Sequence, residues 1–317
     1  MLDIYRIDHL AHAVGDLTKS LHMFEGLFGF ERVRCWKNQR AGVQGARLRV
    51  PGTAGHAWEL IAPLGDESPI QAFLDGPRGP GLLHVGVEMP DMEAAVAELG
   101  RRGLALSGDI AQWIDASLTP PAHGPGVTFR MFGHGGRGSW GDLPGAEPFD
   151  PPPAATAGSK DAPCLGILGI DHVCQGYHNR DELAVWYQEL CGFRQVWRTP
   201  ENEHPDMADL VLNIPGSSIC WEIIMPRGDD SFIDKFLAGR GAAAHHVTFE
   251  VADWDRAMHA CEKHDVRTFD PNSGETDGGT WNDTFIHPKL TGGVLVQLFC
   301  ETRPGVWVRS DKTPPRT

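Results

Sequence analysis

A chain of 317 residues is too long for one ordinary hydrophobic core and favours two domains. Hydrophobic residues make up 41% of it and charged residues 22%, which is typical of a soluble globular protein. The formal net charge of −14 argues against nucleic acid or an anionic membrane as a partner, because both attract clustered cations. The seven cysteines form no CxxC pair, the first residues show no basic region followed by an apolar run, and no apolar run reaches membrane length. We therefore expect free thiols and a cytoplasmic protein.

The first half of the chain contains two similar runs of predicted elements. YRIDHLAHAV reads as a strand that carries His9, and the amphipathic stretch 16–30 reads as a helix, followed by several strand-like runs. GLLHVGVEM, with His84, begins a second run of the same kind, and Asp91 fits the N-cap of its helix. The pattern predicts two βαβββ modules in this half.

The second half repeats the first. LGIDHVCQGY, ICWEIIMPRGDD and AHHVTFEV correspond to YRIDHLAHAV, HAWELIAPLGDE and LLHVGVEM. His172 lies 163 residues after His9, and His246 lies 162 residues after His84, so the register indicates a tandem duplication. A Pro-, Ala- and Gly-rich stretch without periodicity separates the copies and predicts a linker. Four segments follow: an N-terminal domain over 1–142, the linker over 143–163, a C-terminal domain over 164–304 and a polar tail over 305–317.

This organisation predicts an α+β fold. Each half contains two modules whose short sheets must bury their apolar faces. Pairing the modules into a half-barrel places the first and last strands of both around one cavity. We therefore expect four βαβββ modules in two half-barrel domains, with Asp253 as the N-cap of the last module's main helix.

Polar residues recur at matching positions of these apolar strands. A carboxylate within an apolar strand is costly unless it is paired or coordinated, and here histidines accompany it in both halves. Recurrence of His-Glu-His favours a metal site over a buried ion pair. The candidate ligands in the second half are His172, Glu222, His246 and Gln297, and the corresponding residues of the first half are His9, Glu59, His84 and Arg130.

The first-half set has two interpretations. A guanidinium has no free lone pair, so Arg130 cannot ligate a metal. Either His9, Glu59 and His84 form a second, three-ligand metal site, or this half is a degenerate partner in which Arg130 pairs with Glu59. We favour the degenerate partner.

Three motifs resemble the vicinal oxygen chelate superfamily: IDHxxxxV, WELI or WEII followed by P-x-G-[DE], and HPKLTGGVLVQL. The resemblance covers nearly the whole chain outside the linker and tail and is greatest to the modules of methylmalonyl-CoA epimerases. It implies a cup around a divalent metal held by four residues, in which the glutamate and glutamine positions are exchanged relative to the epimerases. Those residues are His172, Glu222, His246 and Gln297. The neighbouring His245 would face the other side of its strand.

The ligand set and the resemblance together indicate a metal-dependent enzyme. Two imidazoles, a carboxylate and an amide oxygen suit Mn, Fe, Co, Ni or Zn. We expect an isomerase or epimerase that removes a proton from a small hydroxy-ketone, sugar-like or acyl substrate through a metal-stabilised enediolate. Glu222 is the candidate base and Glu203 a weaker candidate. The alternatives are an Fe(II) extradiol ring-cleavage dioxygenase and a non-catalytic antibiotic-binding protein. The expected partners are a small molecule and a second copy in a homodimer.

Two polar stretches are candidates for shaping the cavity. The glycine-rich stretch 133–145 has the composition of a flap, although it lacks the strand-to-helix setting of a phosphate loop. The stretch 270–285 carries Trp281 as a candidate substrate contact. We interpret both as ordinary loops, and His287 as a structural residue.

Overall fold

The structure is a computed structural model that describes residues 1–52, 55–136, 138–151, 163–200, 205–228, 230–276 and 278–303. The predicted α+β fold is confirmed, because four βαβββ modules lie in two mixed sheets, one for each half of the chain. Glu203, most of the predicted linker and the whole predicted tail lie outside the described residues.

The N-terminal sheet contains nine strands in the order β6-β7-β8-β5-β1-β4-β3-β2-β9. Its elements are β1 Arg6–Ala13, α1 Leu17–Gly26, β2 Glu31–Asn38, β3 Val43–Arg49, β4 Ala57–Pro63, α2 Pro69–Leu74, β5 Gly81–Met89, α3 Met92–Arg101, β6 Leu106–Asp109, β7 Trp113–Ser117, β8 Thr128–Gly133 and β9 Glu147–Pro148. The two-residue β9 pairs with Trp36 and Lys37 of β2, so the start of the predicted linker extends this sheet at its edge.

The C-terminal sheet contains eight strands in the order β11-β12-β13-β10-β14-β17-β16-β15. Its elements are β10 Ile167–Gly176, α4 Arg180–Cys191, β11 Arg194–Arg198, β12 Met207–Asn213, β13 Cys220–Pro226, α5 Phe232–Arg240, β14 Ala244–Val251, α6 Trp254–Lys263, β15 Thr268–Thr276, β16 Gly279–Ile286, α7 Pro288–Thr291 and β17 Leu295–Glu301. The stretch 270–285 therefore forms most of the β15–β16 hairpin, and its interpretation as an ordinary loop is wrong.

The same four-strand arrangement lies at the centre of both sheets. Within each module the first strand runs parallel to the last, as β1 does to β4 and β10 to β13. The first strands of the two modules pair antiparallel, β1 with β5 and β10 with β14. The central strands are therefore the first and last strands of both modules, which are the strands that carry all the candidate ligands.

Aspartate side chains begin the helices that follow β5 and β14, as predicted. Asp91 accepts a hydrogen bond from the backbone N–H of Ala94, and Asp253 accepts one from that of Arg256. Each contact satisfies a donor that the first helical turn leaves unpaired. No helix in the described ranges is both long enough and apolar enough to span a membrane.

The two sheets share one hydrophobic core. Phe249 of the C-terminal sheet packs against Phe28 and Trp58 of the N-terminal half, with ring centroids 5.6 and 5.8 Å away. Phe129 packs against Trp221 at 5.2 Å in the same way. Successive side chains of a strand point to alternate faces of the sheet. Trp58 and Trp221 face the shared core, so the next residues, Glu59 and Glu222, lie on the opposite face of their own sheet, away from this core. We call these opposite faces the site faces.

Candidate metal centre

Strand register brings the C-terminal candidates onto one site face. Thr248 of β14 lies opposite His172 of β10 and beside Gln297 of β17. Residues opposite each other on paired strands share a face, so these three side chains lie on the same side.

Cys174 extends this face toward the other two candidates. It lies opposite His246 on β14 and beside Glu222 on β13. The four candidate ligands thus come from four adjacent strands, and each is at most 7% exposed.

Three of the four candidates form a compact cluster. Glu222 Oε2 lies 3.5 Å from His172 Nε2 and 3.3 Å from His246 Nε2, and the two Nε2 atoms are 3.4 Å apart. One ligand atom from each residue lies within 4.8 Å of the others. Glu222 Oε2 is buried and accepts no hydrogen bond from the described residues. Metal binding by this cluster stays a prediction.

Gln297 is held beside the cluster by its own hydrogen bonds. Its Oε1 accepts from the Thr248 hydroxyl at 2.8 Å, and its Nε2 donates to Asp283 Oδ1 at 3.3 Å. The same hydroxyl lies 2.8 Å from His172 Nε2. Thr248 therefore connects the amide to the histidine. In this arrangement the amide oxygen of Gln297 accepts a hydrogen bond from within the protein.

Asp171 orients the first histidine, a role that the sequence analysis missed. His172 Nδ1 donates to Asp171 Oδ2 at 2.7 Å, which fixes the ring and directs Nε2 toward Glu222. A carboxylate on the second nitrogen is the usual partner of a metal-bound imidazole. The repeated IDH motif contained this signal, because Asp8 contacts His9 Nδ1 in the same way at 2.8 Å.

The electrostatics of the cluster favour a charged glutamate. Burial raises the pKa of Glu222, but the charge of His172 and the close approach of both imidazoles outweigh it and hold the pKa well below its usual value. Burial lowers the pKa of His172, but the Glu222 carboxylate and Asp171 raise it to about 9. Burial lowers the pKa of His246. Without a metal, these shifts favour a positively charged His172 beside an ionised Glu222 at neutral pH.

The prediction for His245 is wrong. Between Cys174 and Gln175 the pairing partner on β14 moves from His246 to Ala244, so His245 is the extra residue of a β-bulge. Its Nδ1 lies 2.9 Å from His246 Nδ1. With Cys174 and His246 it forms a second group of ligand atoms within 4.8 Å. A bulge interrupts side-chain alternation, which is why His245 belongs to the site.

The candidate ligands of the first half lie close together, but an arginine from a neighbouring strand pairs with their glutamate. His9 Nε2 lies 3.1 Å from His84 Nε2 and 3.8 Å from Glu59 Oε2. Arg47 of β3 donates to Glu59 Oε1 at 3.0 Å and to Asp8 Oδ2 at 2.7 Å. Burial raises the pKa of Glu59, but His9 and Arg47 lower it overall. The described residues in this half contain no group of three ligand atoms as compact as the C-terminal ones.

The predicted pairing of Arg130 with Glu59 is wrong. Arg130 instead forms a two-pronged ion pair with Asp115 of β7, at 2.8 and 2.7 Å. Asp115 lies directly opposite it in the β7–β8 register, which is why it is the nearer carboxylate. The guanidinium also stacks over the rings of Trp113 and Trp140, at 4.0 and 5.0 Å.

Residues 138–143 of the glycine-rich stretch pack against the N-terminal site face. Trp140 packs with the site-face cluster that includes Trp36 and Ile61, and Ser139 is buried. Gly141 lies so close to Trp36 that a Cβ would be 2.4 Å from the indole. This stretch is therefore a packed segment of the N-terminal half.

Three further residues were singled out in the sequence as candidates for a structural role, a substrate contact or a base. His287 accepts a hydrogen bond from the N–H of Lys289 and caps α7, which agrees with its structural interpretation. Trp281 lies on β16 and is partly exposed. Glu203 lies outside the described residues, so its predicted role as a base stays a prediction.

A model of the Glyoxalase/Bleomycin resistance protein/Dioxygenase superfamily matches residues 8–117 and 171–281, one segment in each half. The chain belongs to this superfamily. The predicted resemblance to vicinal oxygen chelate proteins is thereby confirmed. Members of the superfamily are mostly metal-dependent enzymes, among them epimerases, dioxygenases and glyoxalases.

Curated relatives match about a third to a half of the chain. The mitochondrial methylmalonyl-CoA epimerase of Homo sapiens is 30% identical over 158 residues, which cover 47% of this chain and 86% of the relative. The ethylmalonyl-CoA/methylmalonyl-CoA epimerase of Cereibacter sphaeroides is 31% identical over 105 residues, which cover 33% and 76%.

Solved structures share the fold over nearly the whole chain. A mutant of 4-hydroxymandelate synthase from Streptomyces coelicolor has a TM-score of 0.71 at 14% identity, covering 97% of this chain and 95% of that one. The Mn(II)-bound glyoxalase from Novosphingobium aromaticivorans has a TM-score of 0.59 at 12% identity, covering 100% and 86%. At these identities the likeness shows the superfamily fold alone.

Proposed function

We propose that the chain is a divalent-metal-dependent isomerase or epimerase whose active site is the C-terminal site face. The observation that carries the proposal is the buried cluster of His172, Glu222 and His246, with three ligand atoms within 4.8 Å. The names of the curated epimerase relatives support this reaction class, with an acyl thioester among the candidate substrates. A hydroxy-ketone or a sugar-like ketone is also a candidate, because its two oxygens on adjacent carbons can chelate a metal.

The donor set fits a divalent ion of the Mn, Fe, Co, Ni or Zn group. A buried carboxylate oxygen without a hydrogen bond from the described residues faces two imidazole nitrogens, and a cation would satisfy all three atoms. When bound, such an ion would supply Lewis-acid polarisation of a substrate oxygen.

The chain's own residues would orient the site and move the proton. Asp171 fixes the His172 ring, and Thr248 holds Gln297 beside it. Glu222 is the proposed base, because its ionised carboxylate stands at the centre of the cluster. Asp209 of β12 provides a second buried carboxyl group, whose pKa is raised well above its usual value by burial and by the charge of Glu222. Glu203 remains a weaker candidate for the base.

The test combines metal analysis with proton exchange. The purified protein should contain one divalent ion per chain and should move solvent deuterium into the carbon next to the carbonyl of methylmalonyl-CoA or a small hydroxy-ketone, without oxygen uptake. Glu222→Gln should abolish the exchange. Unchanged exchange in this variant, or none in the metal-loaded wild type, would contradict the proposal.

An Fe(II) ring-cleavage dioxygenase is the second candidate. Two histidines and one carboxylate are the ligand set of many non-haem Fe(II) oxygenases, and the cluster has this composition. Catechol-dependent oxygen consumption that requires Fe(II) would favour it over the epimerase. Ligand binding with neither reaction, unaffected by Glu222→Gln, would favour the antibiotic-binding alternative. The predicted homodimer is tested by the molar mass of the protein in solution.

A further inference from the structure

A small cavity lies where the two halves meet beside the candidate metal ligands. Its volume is about 150 Å³. Gly81 and Leu82 of β5 form one wall, and the end of α5 and the start of β14 form another. His246, a candidate ligand, lines the same cavity together with its neighbour His245.

The N-terminal half is a fixed part of this cavity. A Cβ on Gly293 would lie 2.3 Å from the carbonyl carbon of Pro80, so the two halves approach too closely there for any larger residue. Gly293 also has a φ of 119°, which glycine adopts most readily. The wall that β5 contributes is therefore held tightly against the C-terminal half.

Arg240, the last residue of α5, supplies the charge of the cavity. The side chain is half-buried, and within the described part of the chain its guanidinium has no hydrogen bond or ion pair. Its Nη1 lies 3.9 Å from the position of a Cβ on Gly81, so it reaches across to the N-terminal wall. A second, smaller recess that shares Gly81 and Leu82 is also lined by Arg240.

The residues that line this cavity favour an anionic ligand. None of the lining residues in the described ranges is an aspartate or glutamate, although the chain carries 42 acidic against 28 basic residues. The other lining side chains are mainly apolar, including Leu82 and Phe236. An unpaired guanidinium in a partly apolar cavity is a strong site for a carboxylate, which it can bind with two parallel hydrogen bonds.

We propose that Arg240 binds a carboxylate of the substrate, so that the substrate is a small organic acid with a carboxylate remote from its metal-chelating oxygens. This inference rests on the proposed function of the C-terminal site. It assigns to the N-terminal half a direct part in substrate binding, because β5 closes the cavity in which the carboxylate lies.

Two small acids of equal chain length test the proposal. 2-Oxoglutarate and 2-oxopentanoate carry the same 2-oxo acid group, and only 2-oxoglutarate has a remote carboxylate. Calorimetric titration of the full chain loaded with Mn²⁺ should show 2-oxoglutarate binding about tenfold to a hundredfold more tightly, as expected for hydrogen bonds to a charged group. Arg240→Met should remove this preference and leave the affinity for 2-oxopentanoate unchanged.

Lys235→Met is the matched control. Lys235 is exposed on the same helix, so this change alters net charge equally and should preserve the preference. Equal affinities of the two acids for the wild type, or a preference that survives in Arg240→Met, would overturn the proposal. If instead neither affinity depends on Mn²⁺ or on Glu222→Gln, the proposed metal function fails, which is a separate result.

Discussion

The two sheets carry the same His-Glu-His set on corresponding strands but surround it differently. In the N-terminal sheet, Arg47 lies opposite Glu59 and pairs with it. In the C-terminal sheet, Val211 occupies the position opposite Glu222, and the ion-pair partners of Glu222 in the described part of the chain are histidines. The same ligand set is thus paired with an arginine of the chain in the N-terminal sheet, whereas in the C-terminal sheet its carboxylate has no such arginine among the described residues and a metal ion could take that place. The residue opposite the glutamate on the neighbouring strand makes the difference.

The flanking positions differ in the same direction. Arg130 replaces Gln297, and Gly86 stands where the C-terminal sheet has Thr248. Aromatic side chains, Trp140 among them, fill the N-terminal site face. Likeness of ligands alone therefore overstates the likeness of the two sites, because charge compensation comes from side chains that the ligand motif does not include.

The largest expected effect is a difference in metal affinity between variants of two histidines at corresponding positions of the two sheets. His246→Ala should weaken divalent-metal binding by about 4 kcal/mol, close to a thousandfold, since one of the few ligands is lost. His84→Ala removes the corresponding N-terminal residue and should leave metal affinity unchanged. Equilibrium dialysis with metal analysis measures both, with circular dichroism to show that folding is retained. Equal losses in the two variants would remove the distinction between the sheets.

The internal cation of the N-terminal sheet should matter for stability. Arg47→Met leaves Glu59 and Asp8 buried without their guanidinium and should lower the free energy of unfolding by about 3 kcal/mol. Arg49→Met, on the same strand, breaks an exposed pair with Glu31 and should cost less than about 1 kcal/mol. Urea denaturation of both variants checks this. Similar costs for the two would contradict the proposed charge compensation.

An effect of intermediate size on metal binding is expected for the aspartates that orient the first histidine of each sheet. Asp171→Asn should weaken metal binding about tenfold to a hundredfold, because His172 loses the carboxylate that fixes its ring. Asp8→Asn makes the same change beside His9 and should leave metal binding as it is. Isothermal titration of Mn²⁺ into each variant measures the difference. A loss in Asp8→Asn as large as in Asp171→Asn would assign metal binding to both sheets.

The smallest effect, counted per pH unit, is a pH dependence of metal binding. The pKa of His172 is raised to about 9, so below that pH a metal must displace its proton. Apparent metal affinity should therefore rise about tenfold per pH unit from pH 7 to 9 and level off above. In the metal-free protein the same group contributes stability that is lost as pH rises through about 9. A metal affinity independent of pH in this range would contradict the protonation of the cluster.

The sequence predicted the modules and the candidate ligands because both depend on repetition. Residues in corresponding positions of duplicated strands occupy corresponding places in the sheets, as Glu59 and Glu222 do. One feature of the site had no such signal. The bulge at His245 adds one residue to a strand whose apolar alternation looks regular, and periodicity does not reveal it.

Charge partners were harder to predict than ligands. Glu59 pairs with Arg47 because β3 lies beside β4, whereas Arg130 finds Asp115 on β7. Pairing depends on which strands are neighbours and in which register, and neither is fixed by the module pattern alone.

Metal content of the purified protein tests the central claim most directly. The account predicts one divalent ion per chain, bound by the C-terminal site face, with the N-terminal set neutralised by Arg47. Two ions per chain would show that the arginines do not replace a metal. None, after equilibration with Mn²⁺, Fe²⁺, Co²⁺, Ni²⁺ and Zn²⁺ in turn, would contradict the proposed metal site itself.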